Sequence, residues 1–413
     1  MMRWADPAVA FVSPDFVENI LPVQVAVDAD RIEIDADELT FSVGAGVSVA
    51  ELERACTDAG VILPFEPAYE DPPEFSACRP AVAWPQPIAE AVSMDNRTTM
   101  GGLLGVGLSG SRRPWGGALR DAILGVDVLG ADGQPRHFGG RVLKNVAGFD
   151  IARLMVGSFG TLGAITAIHG KLLPVPRIEV SCSAEMDIDD FIEHAHRLRR
   201  TAFPISGLGW WNRRTHLRLS GGPRDVEIAL EAIHKPGGGV QYSSGGIGGA
   251  PSQLPECQSR ADVSHTSEVT SERHANLASS LWRLPPEKRI SPATSEHAPD
   301  GASGTSEPTW WRIALPPATR HKPLASLSPD PDWVLEWGGG LRFVRTDADA
   351  TEVRERVSAL QGIATIWSGA GSSDARRLHP RSTARAALER RVRKAFDPFE
   401  LFWSPVYDFE ARA

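Results

Sequence analysis

The chain has 413 residues, of which 42% are hydrophobic and 23% are charged, so it is long enough for two or three domains and apolar enough to bury cores. Its 43 Lys and Arg residues against 52 Asp and Glu residues give a net charge of -9, which argues against a broad cationic surface for nucleic acid or anionic lipid. The sequence shows no targeting pattern and no apolar run of membrane-spanning length. We therefore expect a soluble, cytoplasmic protein.

The four cysteines are too far apart to form a C-x-x-C pair, and no histidines stand near them at zinc-finger spacing. The spacing therefore predicts reduced thiols, with neither a disulfide scaffold nor an iron–sulfur or structural zinc site, and we nominate no metal ligands.

Near the start of the chain, apolar residues alternate with polar ones over 39–43, which predicts a strand followed at once by a helix. Ser48 and Glu51 have the spacing of a capping box at the start of this helix, and Gly60 stands where a C-terminal cap belongs. Residues 64–98 are rich in proline and acidic residues, and we interpret them as a long loop.

The next part of the chain, 100–133, is unusually rich in glycine. The elements predicted within and after it are a strand over 123–129, a hairpin turn at 131–133, a short helix over 151–156 between Asp150 and Gly157, and a strand over 164–173.

Gly105, Gly107 and Gly110 match the G-x-G-x-x-G dinucleotide fingerprint, and Asp127 follows at a suitable distance. The fingerprint requires a helix to open there, but Pro114 and two glycines follow instead. A Rossmann fold is therefore disfavoured, and no P-loop motif occurs.

Two interpretations of the glycines stay open. They form turns in a tightly wound β-rich domain, or they let the backbone approach an anionic ligand closely. Arg112, Arg113 and Arg120 lie alongside and are suited either to such an anion or to a solvated face or subunit contact.

The second half of the sequence alternates helix and strand patterns, which predicts an α+β domain. The predicted helices cover 188–198, 226–233 and 353–360, and the predicted strands cover 217–219, 341–345 and 363–367. Residues 236–308 are dominated by polar residues, Gly and Pro, and are interpreted as a flexible insertion.

Four linked motifs carry a family resemblance. They read Thr-Met-Gly-Gly (99–102), Gly-Leu-Ser-Gly-Ser-Arg-Arg-Pro-Trp (107–115), Arg-Asp-Ala-Ile-Leu-Gly (120–125) and the long run from Phe138 to Gly163. Together they resemble the FAD-binding domain of the vanillyl-alcohol oxidase and p-cresol methylhydroxylase (PCMH) type. The last motif is most similar to the E subunits of bacterial glycolate oxidases, and the match extends from about residue 39 to 176.

This resemblance implies an α+β fold: a PCMH-type FAD-binding domain built of two α/β subdomains, with a second α+β cap domain. The domains expected on this basis are 1–176 for FAD binding, 177–235 with 309–380 for the cap, the insertion 236–308, and a C-terminal helix and tail over 381–413. Residues 1–38 contain no glycine, so the first phosphate loop of the family is missing from the expected FAD-binding domain. The family's Phe-Asn-Pro-Gly-Arg ending is replaced by Leu401–Val406.

The resemblance also implies which residues bind FAD. Pro67 is expected near the isoalloxazine ring. The residues expected at the diphosphate and flavin are Gly101, Gly102, Ser109, Gly110, Arg113 and Gly116, and those expected at the adenosine end are Gly160, Thr161, Gly163 and Ile165. For Ser109 and Thr161, ordinary hydrogen bonding within a turn is the alternative.

The function implied is that of an FAD-binding subunit in a glycolate (2-hydroxy-acid) oxidase complex, with flavin-mediated electron transfer. Its expected partners are a catalytic flavoprotein subunit and an iron–sulfur subunit, with membrane association only through them. The eleven histidines are scattered, and we nominate no catalytic residue. The alternatives are a structural subunit of the same fold that has lost FAD, and a stand-alone FAD-dependent alcohol or sugar oxidase.

Overall fold

The computed structural model describes residues 27–66, 98–141, 149–234, 243–244, 309–329, 332–368 and 378–402. Pro67, nearly all of the predicted insertion and most of the predicted loop over 64–98 lie outside these residues. The chain divides into two units. The first consists of residues 1–109, 117–175 and 380–413, and the second of residues 110–116 and 176–379.

The first unit is built on a five-stranded antiparallel sheet in the order β1-β2-β6-β4-β5. Its strands are β1 (Ile32–Asp35), β2 (Thr40–Gly44), β4 (Ile123–Leu129), β5 (Pro135–Gly139) and β6 (Ala164–Lys171). A separate pair consists of β3 (Val61–Ile62) and β7 (Leu173–Pro174). The predicted strand over 164–173 therefore ends at Lys171, and Pro174 pairs with β3.

The helices of the first unit are α1 (Val49–Asp58), α2 (Met100–Val106), α4 (Leu119–Ala122), α5 (Ile151–Met155) and α9 (Thr383–Phe396). The predicted capping box at α1 is present, because the Ser48 hydroxyl accepts from the Glu51 amide and the Ser48 amide donates to the Glu51 carboxylate. Gly60 follows α1 with a left-handed φ of 72°, as a C-terminal cap requires. Asp150 caps α5 by accepting from the Arg153 amide at 3.2 Å.

The core of the first unit lies between one face of the sheet and its helices. Val43 of β2, Val126 of β4 and Ile168 of β6 are fully buried there with Leu52 of α1 and Leu104 of α2. The terminal helix α9 adds Val392 and Phe396 to the edge of this core.

The second unit is built on an eight-stranded sheet in the order β11-β8-β10-β9-β13-β14-β12-β15, with antiparallel pairing throughout the described register. Its strands are β8 (Ile178–Glu185), β9 (Ile205–Trp211), β10 (Arg214–Gly221), β11 (Ser243–Ser244), β12 (Thr309–Ala314), β13 (Trp333–Glu336), β14 (Leu341–Thr346) and β15 (Ile363–Ser368). Its helices are α3 (Arg113–Gly116), α6 (Ile188–Leu198), α7 (Pro223–His234) and α8 (Ala350–Ala359).

Tryptophan dominates the core of the second unit. Trp210 of β9, Trp311 of β12 and Trp333 of β13 are among its largest fully buried side chains. Phe191 and Ala195 of α6 pack against this core, as the periodicity of the sequence predicts. Cys182 is a free buried thiol here, and Cys56 is one in the first unit, so neither forms a disulfide.

Several elements were not predicted from the sequence, either because they are fully buried or because they are rich in glycine. Every residue of β9 and β13 is buried, so these strands lack the polar–apolar alternation that identifies a half-buried strand. Helix α2 contains two glycines in its first turn and a third further on, which gives it low intrinsic helix propensity. Among the described residues, no helix is both long and apolar enough to cross a membrane.

The second unit contains two buried histidines whose pKa is lowered to about 4, chiefly by desolvation: His194 on α6 and His321. At pH values between about 4 and 6.5, the ordinary pKa of histidine, these two side chains bind protons in the unfolded chain but not in the folded chain. The second unit should therefore lose stability as pH falls, by about 2 kcal/mol per histidine from pH 7 to pH 5. Urea unfolding at both pH values tests this. His194→Gln should remove one such loss, whereas His196→Gln, at an exposed position of the same helix, should leave the pH dependence unchanged.

Candidate functional site

Two glycine-rich segments meet in the first unit. Helix α2 ends at Gly107, whose amide donates to the Leu103 carbonyl and whose φ of 71° is left-handed. The Gly157 amide donates to the Leu104 carbonyl at 2.9 Å, and the Phe159 amide donates to the Gly105 carbonyl at 2.8 Å. The end of α2 is thereby joined by hydrogen bonds to residues 157–160, and we call this contact the glycine junction.

The glycine junction depends on the absence of side chains. A Cβ at Gly107 would lie 3.0 Å from both the Cα and the amide nitrogen of Gly157, closer than real Cβ atoms tolerate without a shift. Gly157 itself has a left-handed φ of 80°. Gly107 is therefore a position of close approach between two backbone segments of the protein itself, which favours the structural interpretation of this glycine.

The junction ends in an open turn at Gly160. This residue has a φ of 71°, is exposed, and a Cβ there would meet no atom within 4 Å. Its amide forms no hydrogen bond with any described residue. Next to it, the Thr161 hydroxyl donates to the Ser158 carbonyl at 2.7 Å, so that side chain serves the turn itself.

Gly163 and Ile165 lie where the turn enters β6. A Cβ on Gly163 would collide with the Val128 side chain at 2.5 Å, and Ile165 is buried in the core. The structure thus places Gly160, Thr161, Gly163 and Ile165 in one continuous segment.

The N-terminus of α2 holds Gly101 and Gly102, which are both buried. The Gly101 amide donates to the Ala45 carbonyl at 2.9 Å, and the Gly102 amide donates to the Thr99 hydroxyl at 3.2 Å. These amides are therefore satisfied by the protein. Ser109 is buried as well, and its hydroxyl accepts from the Leu119 amide at 3.0 Å.

Gly110, Arg113 and Gly116 belong to the second unit. Gly110 and Arg113 take part in a cluster around Trp337, whereas the Gly116 amide donates to the Arg112 carbonyl at 2.8 Å. The Trp337 indole donates to the Gly110 carbonyl at 2.9 Å. The guanidinium of Arg113 lies 4.5 Å from the centre of the Trp337 ring, and that of Arg312 lies 5.5 Å from it. Both distances are within the range of a cation–π interaction. We call these side chains, with Ser111 and Glu336, the Trp337 cluster.

A buried carboxylate partly balances the two arginines. Glu336 is 4% exposed and accepts from the Ser111 hydroxyl at 2.9 Å. The pKa of Arg312 is lowered to about 10, chiefly by burial and also by Arg113, while Glu336 opposes the change, so Arg312 stays protonated at neutral pH. Two cations and one anion make the cluster suited to hold an anionic group.

The backbone at Trp337 is strained. Trp337 has a φ of 52°, Gly338 of 58° and Gly339 of 92°. A left-handed tryptophan is rare and costs free energy, so such residues persist only where their surroundings hold them. Here the Arg199 side chain donates to the Trp337 and Gly338 carbonyls, and the indole is fixed by Gly110.

Sequence reasoning nominated Arg113 but missed Arg312 and Glu336. Their signal is a charged residue inside an otherwise apolar strand, as in Trp-Trp-Arg-Ile of β12 and Trp-Val-Leu-Glu of β13. Fully buried charges are uncommon without a partner, so such positions favour a built interaction.

Two shorter matches to known proteins indicate the general class of protein to which this chain is similar. No protein-family model matches the chain. A D-lactate dehydrogenase of Archaeoglobus fulgidus is 30% identical over 147 residues, covering 36% of this chain and 27% of that protein. Glycolate oxidase subunit GlcD of Bacillus subtilis is 33% identical over 145 residues, covering 35% of this chain and 26% of that protein. The chain thus spans about a quarter of the length of these two relatives, and it is similar to oxidoreductases of 2-hydroxy acids.

The similarity to one subunit type is far longer. Glycolate oxidase subunit GlcE of Escherichia coli (strain K12) is 27% identical over 371 residues, covering 90% of this chain and 82% of that protein. A solved structure of alkyldihydroxyacetonephosphate synthase aligns with a TM-score of 0.49 and 13% identity over 91% of this chain and 65% of that chain. The resemblance to glycolate oxidase E subunits and the α+β fold class are confirmed. An FAD-linked oxidoreductase of Mycobacterium tuberculosis is 26% identical over 160 residues, covering 39% of this chain and 29% of that protein, and its name supports the predicted class of FAD-dependent oxidoreductase.

Whether the first unit can hold the diphosphate of FAD depends on which of its backbone amides are not already donating within the protein. A diphosphate held by main-chain groups needs amides that the fold leaves free. Gly160 offers one on an open turn, whereas the amides of Gly101 and Gly102 already donate within the protein. Among the described residues, Gly160 is thus the candidate donor to a diphosphate, and Gly101 and Gly102 are not.

The glycine junction leads to a matched pair of substitutions. Gly107→Ala and Gly60→Ala place alanine at nearly identical left-handed φ, 71° and 72°, but a Cβ at Gly60 meets no atom within 4 Å. Both should lose about 1–2 kcal/mol from the left-handed backbone. Gly107→Ala should lose roughly 1–3 kcal/mol more from overpacking against Gly157. Urea unfolding measures both, and equal losses would contradict the close approach.

Proposed function

We propose that the chain is the FAD-binding subunit of a complex that oxidises a small 2-hydroxy acid of the glycolate type and transfers electrons through the flavin. The similarity to GlcE over nine-tenths of the chain supports this function. The observation that carries it is the glycine junction, in which two glycine-rich segments meet beside an open turn at Gly160, whose amide has no hydrogen-bond partner among the described residues.

The chain's own residues have separate roles in this proposal. In the first unit, Gly160 donates its amide to the cofactor, while Gly105 and Gly107 keep side chains away from its approach. In the second unit, Arg113 holds an anionic group, with its guanidinium positioned over the Trp337 ring. When bound, FAD supplies the electron acceptor for the reaction.

The proposed partners follow from the names of the relatives. GlcE and GlcD are named as subunits of glycolate oxidase, which supports a heteromeric assembly. In this proposal a GlcD-like flavoprotein oxidises the 2-hydroxy acid, and an iron–sulfur subunit passes the electrons on to a membrane acceptor. The assembly is cytoplasmic and meets the membrane only through its partners. No described side chain of this chain is assigned to substrate oxidation.

A second candidate is a structural subunit of the same fold without FAD. Two observations favour it: residues 1–38 contain no glycine for a first phosphate loop, and the amides of Gly101 and Gly102 are already used. In that case the glycine junction serves packing alone.

FAD titration of the purified full chain tests the proposal, with flavin fluorescence and the visible absorption spectrum as readouts. Gly160→Asp should weaken FAD binding about tenfold or more, because a carboxylate at the turn repels the diphosphate. Gly133→Asp is the matched control: Gly133 has a φ of 72°, and a Cβ there also meets no atom within 4 Å. It should bind FAD like the unsubstituted chain.

The outcomes separate the candidates. Saturable FAD binding that only Gly160→Asp weakens supports the flavoprotein subunit. A chain that binds no FAD, alone or co-expressed with its two partners, yet still purifies with them, supports the structural subunit. A chain that binds FAD and oxidises an alcohol or sugar without partners indicates a stand-alone oxidase.

A further inference from the structure

Three metal-ligating side chains share the face of the first sheet that is turned away from its core. Asp127 of β4 pairs directly with His137 of β5, and Gly125 of β4 pairs with His169 of β6. Because side chains two residues apart lie on the same face of a strand, Asp127, His137 and His169 point to one side. The alternate positions, such as Val126 and Ile168, face the core.

The possible ligand atoms of Asp127, His137 and His169 lie close together. The Nδ1 atom of His137 lies 2.6 Å from one Asp127 carboxylate oxygen, and the Nε2 atom of His169 lies 3.4 Å from the other. One ligand atom from each of the three residues lies within 4.8 Å of the other two. A tetrahedral zinc site has bonds of about 2.0–2.1 Å, which separates its ligand atoms by roughly 3.3 Å.

His169 is not explained by hydrogen bonding alone. It is 1% exposed, and its Nδ1 atom has no hydrogen-bond partner among the described residues. The Oγ atom of Ser42, which pairs with His169 across the sheet, is likewise buried without a partner. Burying unsatisfied polar atoms costs free energy, so packing alone does not account for a histidine at this position.

The cluster is open to solvent on one side. The side chain of His137 is 40% exposed and that of Asp127 is 26% exposed, and β5 is an edge strand of the sheet. An ion can therefore reach the three side chains past His137. Coordination requires the 2.6 Å contact between His137 and Asp127 to widen to roughly 3.3 Å, and the half-exposed position of His137 leaves space on its solvent side.

The charged side chains around the two histidines balance one another, so they do not oppose the binding of a cation. Arg31 is paired with Glu33 at 3.0 Å, and Arg141 acts on His169 from a distance, so two positive and two negative side chains surround the two histidines.

We propose that Asp127, His137 and His169 form a binding site for a divalent transition-metal ion, with Zn²⁺ the best match. Two imidazole nitrogens and one carboxylate oxygen are a donor set that zinc favours, and three protein ligands leave a fourth position for water. The cysteine and histidine spacing predicted no metal site, because these ligands lie on three different strands and meet only through the sheet register. The site is independent of the proposed FAD function.

Zinc titration of the full chain tests this proposal after treatment with a chelator. Competition with a chromophoric chelator should reveal one Zn²⁺ bound per chain. Co²⁺, used as a spectroscopic probe, should give the visible absorption bands of four-coordinate cobalt. No stoichiometric Zn²⁺ binding to the unsubstituted chain would overturn the proposal, whatever its variants do.

Substitutions locate the ion. His137→Gln removes a ligand on an edge strand without disturbing the buried His169, and it should weaken Zn²⁺ binding roughly a hundredfold. Asp127→Asn preserves the side-chain shape and should have a similar effect, so either variant suffices if the other fails to fold by circular dichroism. His196→Gln, an exposed histidine of α6 in the second unit, is the control and should bind Zn²⁺ normally. Unchanged binding in a folded His137→Gln or Asp127→Asn variant would place the ion elsewhere.

Discussion

The close approach of two backbones is the constraint on which the first unit depends. The end of α2 is hydrogen-bonded to residues 157–160 at a distance that leaves no room for a Cβ on Gly107, which would lie 3.0 Å from the Gly157 backbone. That contact fixes where the turn at Gly160 emerges and where β6 begins. Glycine is costly in a helix and in a fixed turn because it loses much conformational entropy on folding. The chain bears this cost several times within a short stretch, and in return the open turn at Gly160 can lie directly beside the end of α2.

The second unit depends on a different constraint, because it places charged side chains next to a tryptophan-rich core. Arg312 and Glu336 stand in strands that are otherwise apolar, and each is compensated by a neighbour: Arg312 by the Trp337 ring and Glu336 by Ser111. The left-handed backbone at Trp337 shows that this arrangement is maintained against local strain. Strain at such positions commonly accompanies binding sites, because an unstrained chain would place the same side chains elsewhere.

Local signals in the sequence were sufficient for elements that are half-exposed. Alternation predicted β2, the capping box predicted α1 to its first residue, and Asp150 with Gly157 bounded α5, because each of these patterns acts through neighbouring residues. The resemblance singled out the glycine-rich segments, two of which the fold joins at the glycine junction. Strands β9 and β13 were missed because burial on both faces erases their periodicity. The proposed zinc ligands were missed for a related reason: their proximity depends on strand pairing across the sheet, which no spacing in the sequence records.

The position of α9 has a consequence for how the polypeptide is made. This helix is the last described one in the chain, yet Val392 and Phe396 pack on the core of the first unit, and the ring of Phe396 meets that of Phe138 edge-on at 6.5 Å. The ribosome therefore releases the final piece of this core only after the second unit has been synthesised. During translation, the part of the core against which Val392 and Phe396 pack therefore stays exposed to solvent until α9 has been synthesised.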